Sequence, residues 1–180
     1  MDEIQGFRQD DSSRSPTFYP ETPTNSISRE QIEALKVVAS KGGGVARLCL
    51  HSSPEAAMHI MVIAQTSGRY WRPKKHVTKM KYFTVLEGKM AVVEFTDMGD
   101  PANVTLLQHE ARPLMLVAPS TFHTNVAITQ MCVHVEAIQG PYLQGELDRV
   151  AASFAPGEEE ADAGRSFISR AIEGLLREGP

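Results

Sequence analysis

Cysteine and tryptophan are scarce in this chain, with two Cys and one Trp in 180 residues. Two cysteines, Cys49 and Cys132, are too few for a disulfide framework or a four-cysteine zinc site. Both lie in apolar segments, where a buried, inert thiol is expected. Positive charge is also in short supply. The 18 Lys and Arg against 22 Asp and Glu leave a formal net charge of −4 with no basic block, which argues against a nucleic-acid binder held by phosphate contacts. No apolar run approaches the ~20 residues a membrane-spanning helix needs. The start, Met1-Asp2-Glu3-Ile4, lacks the basic segment and apolar core of a signal peptide, so a cytoplasmic protein with reduced thiols and no membrane partner is expected. There is no nucleophile elbow, phosphate-binding glycine loop, zinc-finger spacing or dinucleotide fingerprint.

What remains is the composition of an ordinary globular protein, 42% hydrophobic and 22% charged, of a length for one domain with tails. Residues 1–26, rich in Ser, Asp, Thr and Pro, read as a flexible arm. Ser28 then opens a short helix. Gln31 follows at capping-box spacing, and Ile32, Leu35, Val38 and Ala39 fall on one face. Gly42-Gly43-Gly44 ends it.

From Val45 short β-rich runs alternate with turn residues. Strands are expected near 45–51, 58–66, 69–76, 80–87, 89–96, 103–109, 113–118, 122–128 and 131–138, with a hairpin turn at Glu87-Gly88 and another at 97–100. So many short strands avoid exposed edges best in a jelly roll. The expected fold is therefore all-β, a jelly-roll barrel over residues 27–142 with a short leading helix. Residues 143–180 add an acidic connector, Pro156 to Asp162, and a C-terminal helix whose apolar face is Phe167, Ile168, Ala171, Ile172, Leu175 and Leu176. That stripe needs cover from the barrel or from a second copy, and a homodimer is expected.

One stretch organises the functional reading: Gly68-Arg-Tyr-Trp-Arg-Pro-Lys74-Lys-His76-Val-Thr-Lys-Met-Lys81-Tyr-Phe-Thr-Val-Leu-Glu-Gly88. Its spacing resembles the first cupin motif, G-x5-H-x-H-x4-E-x6-G, with Lys74 at the first His position and Lys81 at the Glu position. Leu116-Val-Ala-Pro119-Ser-Thr-Phe-His123 resembles the second motif, which supplies a last His. The span Ile27–Tyr142, with Arg47-x-x-x-His51 and Glu136-x-x-x-Gly-Pro-Tyr142, is similar to the WbuC family, small cupins encoded among O-antigen polysaccharide genes. The resemblance implies a barrel whose interior gathers Lys74, His76, Lys81 and His123 where relatives hold a metal.

Metal sites take three or four His, Cys or carboxylate ligands, and these positions offer only His76 and His123 beside two ammonium groups that repel a dication. No cofactor is therefore expected. A divalent metal would need His76 and His123 with replacement ligands from His51, Cys132, His134 or Glu136. A basic pocket instead attracts a small anionic or sugar-like ligand. Crowded ammonium groups lower each other's pKa and prepare an amine to act as a base or a Schiff-base nucleophile. Lys74, His76, Lys81 and His123 are the candidate catalytic residues, and Arg72, Tyr70, Tyr82, Tyr142 and His51 the candidate substrate contacts. His59 and His109 have no motif partner and read as structural or exposed. The leading function is an isomerase, epimerase or lyase that transfers a proton on a carbohydrate-like or carboxylated substrate. The alternatives are a non-catalytic binding or assembly module and a metal-dependent oxygenase or isomerase.

Overall fold

Four layers stack in the computed structural model, which describes residues 4–23, 26–142 and 148–178: a helix, a seven-stranded sheet, a five-stranded sheet and a second helix. Strands β1 (Phe7–Gln9) and β2 (Thr17–Pro20) come first, then helix α1 (Arg29–Lys41). Both bonds of the capping box are made, Gln31 N–H to Ser28 Oγ and Ser28 N–H to the Gln31 side-chain oxygen. At the other end Gly42 N–H reaches Val38 O, and Gly43 and Gly44 take φ of 80° and 87°, a region that costs glycine little.

Next come β3 (Val45–Cys49), β4 (Met58–Thr66), β5 (Lys74–His76), β6 (Lys81–Glu87), β7 (Lys89–Phe95), β8 (Pro101–Gln108), β9 (Leu114–Val117), β10 (Phe122–Ala127), β11 (Met131–Gln139) and β12 (Arg149–Ala151), and then α2 (Ala161–Glu178). The larger sheet has the order β1-β2-β3-β4-β11-β6-β9 and the smaller β12-β5-β10-β7-β8. The sheets face each other across a core of Phe83, Val85, Met90, Val92, Leu107, Val117 and Ala127. They do not close into a barrel, and to that extent the barrel expectation is corrected to two facing sheets.

Alternation sorts the side chains. On β4 and β11, Val62, Ala64 and Val133 turn outward under α1, which covers them with Leu35, Val38 and Ala39. Their neighbours of opposite parity, Ile63, Gln65, His134 and Glu136, turn between the sheets, as period-two geometry requires. On the far side Val93, Phe95 and Phe122 pack beneath α2 with Ile168 and Ala171, and the Phe167 ring stacks on Phe95 at 5.5 Å. Gly164 lets α2 approach closely, since a Cβ there would stand 2.3 Å from the Tyr70 ring.

Three further expectations are corrected. Phe7 and Phe18 are buried in the α1 cluster, so this part of the supposed flexible arm is a pair of strands extending the larger sheet. Gly88 is not a hairpin turn. Strands β6 and β7 belong to different sheets, and Gly88, at φ 76°, is the corner where the chain crosses between them. Leu176 is 56% exposed rather than part of the covered face of α2. Cys49 and Cys132 are buried free thiols, which burial pushes up to about 12. Among the described residues no helix is long and apolar enough to cross a membrane.

Candidate active site between the sheets

Strand pairing brings the motif positions together. On β5 Lys74 and His76 share the inner face, and His123 of β10 pairs in register with Lys74. Lys81, only 3% exposed, enters from β6 on the opposite sheet. Its ammonium does not stand free, because Glu136 of β11 lies 3.1 Å away. Burial alone would raise the Glu136 pKa, but Lys81 and then Lys74 outweigh it and hold the carboxyl well below the usual carboxylate range. The buried lysine pair expected from the motif is thus one ion pair, Lys81–Glu136, and one amine, Lys74. Among the described residues the Lys74 amine has no hydrogen bond or ion pair. Burial, then Lys81 and Arg149, pull its pKa well below the ordinary lysine value.

Lys74 lines a chamber of about 50 Å3 with Arg47, Trp71, Asn125, His134 and Glu136. The Arg47 guanidinium lies 5.5 Å from the centre of the Trp71 ring, and that of Arg69 lies 4.3 Å from it. Asn125 Nδ2 donates to the Gln65 side-chain oxygen Oε1 at 2.9 Å, which fixes one wall. Neither ring nitrogen of the fully buried His134 has a partner among the described residues, and the same holds for Nε2 of His123. Burial drives both imidazoles to the neutral form, His134 to about 4 and His123 to about 3. Buried polar atoms left without partners are rare in native proteins and mark places where water or a ligand completes the bonding.

His76 is lowered to about 4 by burial, Lys81 and Lys74. It is held by Asp148, whose Oδ2 lies 3.2 Å from Nδ1 and whose Oδ1 accepts from Thr78 N–H and the Thr78 hydroxyl. A neutral ring facing a carboxylate places its proton on Nδ1 and leaves Nε2 as an acceptor.

The expected substrate contacts do not gather here. Tyr70 is buried under α2 and donates to Pro156 O at 2.8 Å. Tyr82 turns outward from β6 and is 42% exposed. Arg72 donates to Ala152 O. Tyr142 is also exposed, and its hydroxyl accepts from Arg149. His51 stacks on His59 at 4.2 Å, with Nδ1 against the Ile60 backbone. The chamber is built instead from Arg47, Trp71, Asn125, His134 and Glu136. Parity on β11 signalled His134 and Glu136. Nothing local in the sequence signalled Trp71 or Asn125.

The cupin resemblance implies a metal, and the residues present do not fit one. Among the described residues no group of three or more His, Cys, Asp or Glu is placed to hold an ion. Lys74 and Lys81 bring positive charge to the site, which repels a dication, and Glu136 is already paired with Lys81.

Two facing sheets with a polar chamber between them define the fold, and two solved CapF structures share that fold. The capsular polysaccharide assembling protein CapF from Staphylococcus aureus is similar at 13% identity and a TM-score of 0.51, over 60% of this chain and 29% of that one. CapF in space group C2221 gives 10% identity and 0.52 over 81% of this chain and 34% of that one. A conserved protein with a double-stranded β-helix domain from Klebsiella pneumoniae gives 15% identity and 0.46 over 61% and 80%. This chain spans about a third of the CapF chains, 29–34%, and identities so low speak for the fold alone. A family model described as "Domain of unknown function (DUF6016)" matches residues 44–107. No curated protein matches the chain in sequence.

Proposed function

We propose that this protein is a small-molecule enzyme of cupin-like fold that binds a small anion between its sheets and transfers a proton without a metal. The observation that carries the reading is the Lys74 amine, half-buried beside a neutral imidazole and an Arg in one chamber and without a partner among the described residues. The charge balance supports it. Arg47, Lys74, Lys81 and Arg149 are close enough to perturb the site's charges, and among the described residues Glu136 is the one carboxylate lining the chamber. Excess positive charge in a low-dielectric site favours an anion. The free amine and the imidazole of His134 are the groups able to accept a proton, and Lys81 with Glu136 sets the field around them.

Size narrows the ligand. A water needs about 10–15 Å3 of such space, so a 50 Å3 chamber holds about four waters or one small carboxylated group. A sugar or nucleotide would leave its bulk outside. Propionate, malonate, pyruvate and inorganic phosphate are the first ligands to try. Each should be tested for raising the melting temperature of the wild type and of Lys74→Ala, and the carboxylates for deuterium exchange next to their carbonyl in D2O. A rise and an exchange that both vanish in Lys74→Ala are expected. No stabilisation by any of the four, with no exchange, would refute the reading.

A further inference from the structure

We infer that the ligand is a short 2-oxo acid, and that Lys74 forms a Schiff base with its carbonyl while Arg47 holds its carboxylate. This rests on the anion-binding reading above and adds a covalent step to it. The geometry is that of two complementary groups in one small chamber. Lys74 and Arg47 both line it, and among the described residues the Arg47 side chain makes no hydrogen bond or ion pair; it lies over the Trp71 face and feels the Glu136 carboxylate. A guanidinium presents a fork of donors that matches a carboxylate. A carbonyl one bond from that carboxylate is then carried toward the amine. About four waters fit in the chamber, each claiming about 30 Å3 in the liquid, so two to four carbons are accommodated.

The chemistry balances with the groups present. The Nζ lone pair attacks the carbonyl carbon, a C–N bond forms, the C=O pair moves to oxygen, and one proton passes from nitrogen to that oxygen, giving a carbinolamine. Uptake of one proton from solvent lets that oxygen leave as water, and the nitrogen becomes an iminium. The iminium withdraws electrons from the adjacent carbon, so a proton there passes to a ring nitrogen of His134, the neutral imidazole without partners on the chamber wall. Schiff-base formation needs an unprotonated amine, and burial and the neighbouring cations shift Lys74 in that direction. Lys81 sits next door but is committed to Glu136, which singles out Lys74.

The test is reductive trapping. Full-length protein is incubated at neutral pH with pyruvate and cyanoborohydride, then digested and mapped for N-(1-carboxyethyl)lysine. Lys74 should be modified at least tenfold faster than the exposed Lys89, and no faster than Lys89 in urea. Hydroxyacetone, which keeps the carbonyl but lacks the carboxylate, should lose that preference, as should pyruvate with Arg47→Met. Equal rates at Lys74 and Lys89 in the folded protein would overturn the Schiff base. Equal preference with hydroxyacetone would overturn the 2-oxo acid. Propionate, a carboxylate without a reactive carbonyl, separates this inference from the one it rests on. If propionate stabilises the wild type and pyruvate gives no Lys74 adduct, the anion site stands and the covalent step falls.

Discussion

Replacing Glu136 by Gln removes one charge and almost no volume, and it should be among the most damaging single changes in the sheets. Its carboxylate lies 3.1 Å from the Lys81 ammonium, with side-chain exposures of 15% and 4%. At an effective dielectric of about 20, Coulomb's law puts the attraction at that distance near 5 kcal/mol. The change leaves Lys81 buried without its counter-charge, and breaking a buried pair from one side costs about 3–5 kcal/mol. At this chain length each kcal/mol moves the midpoint by roughly 2–4 °C, so the melting temperature should fall by roughly 6–20 °C. Lys81→Met should cost a similar amount, and the double change Lys81→Met with Glu136→Leu should recover most of it, because two apolar groups need no partner. The linkage sign is fixed by the depressed Glu136 pKa. Its stabilisation is complete above the unfolded value near 4.3 and is lost as pH falls through the lower folded value. Thermal melts of the four proteins by circular dichroism at pH 7 read these differences. Single changes costing under about 0.5 kcal/mol, as surface pairs do, would show that this pair is not the buried centre of the site.

Other consequences follow from the same packing. His134 and His123 are buried neutral, lowered to about 4 and about 3, so the denaturant midpoint should fall as pH drops from about 6.5 toward 4. His134→Gln should flatten that slope, and an unchanged slope would contradict the burial. Gly88→Ala would press a Cβ to 2.4 Å from Thr129 Oγ1 at a φ of 76° and should destabilise by more than about 1 kcal/mol; a neutral melt would contradict the corner. Truncation before Ala161 uncovers Phe95 and Tyr70, and with about 1.5–3 kcal/mol for each fully buried large apolar side chain it should lower the melting temperature sharply. Melting unchanged by truncation would make α2 a loose tail. The homodimer expected from sequence has an open edge at β9, where Leu114 and Leu116 are 57% and 46% exposed. Leu116→Lys should shift sedimentation toward the monomer, and a monomeric wild type would end that expectation.

Much of the fold was legible because it is written in short-range chemistry. Ser28 with Gln31, the three glycines after α1, and the alternation along β4, β6, β7 and β11 each identify their element without reference to distant residues. The strands that escaped notice, β1, β2 and β12, carry only isolated apolar residues such as Phe7, Phe18 and Val150, and they become strands through partners far along the chain. Gly88 looked like a hairpin because local sequence cannot say which sheet the next strand joins. In the site, motif spacing anticipated the convergence of Lys74, His76, Lys81 and His123. It did not show that Glu136 neutralises Lys81, because that contact depends on the register between β6 and β11. Nor did it show Asp148 against His76, which depends on β12 returning to pair with β5. Arg47 and Trp71 meet on the chamber wall for the same non-local reason.

The central claim is that Lys74 is an amine of lowered pKa, without a partner among the described residues, in an anion-binding chamber, and its rate of acylation tests that most directly. The full-length protein is treated briefly at pH 7 with a small acylating reagent, and the lysines are read by peptide mass spectrometry with and without propionate. Lys74 should label well ahead of the exposed Lys89, and propionate should slow Lys74 alone, since a bound anion returns the amine to its ammonium form. Labelling of Lys74 no faster than Lys89, with no effect of propionate, would contradict the account.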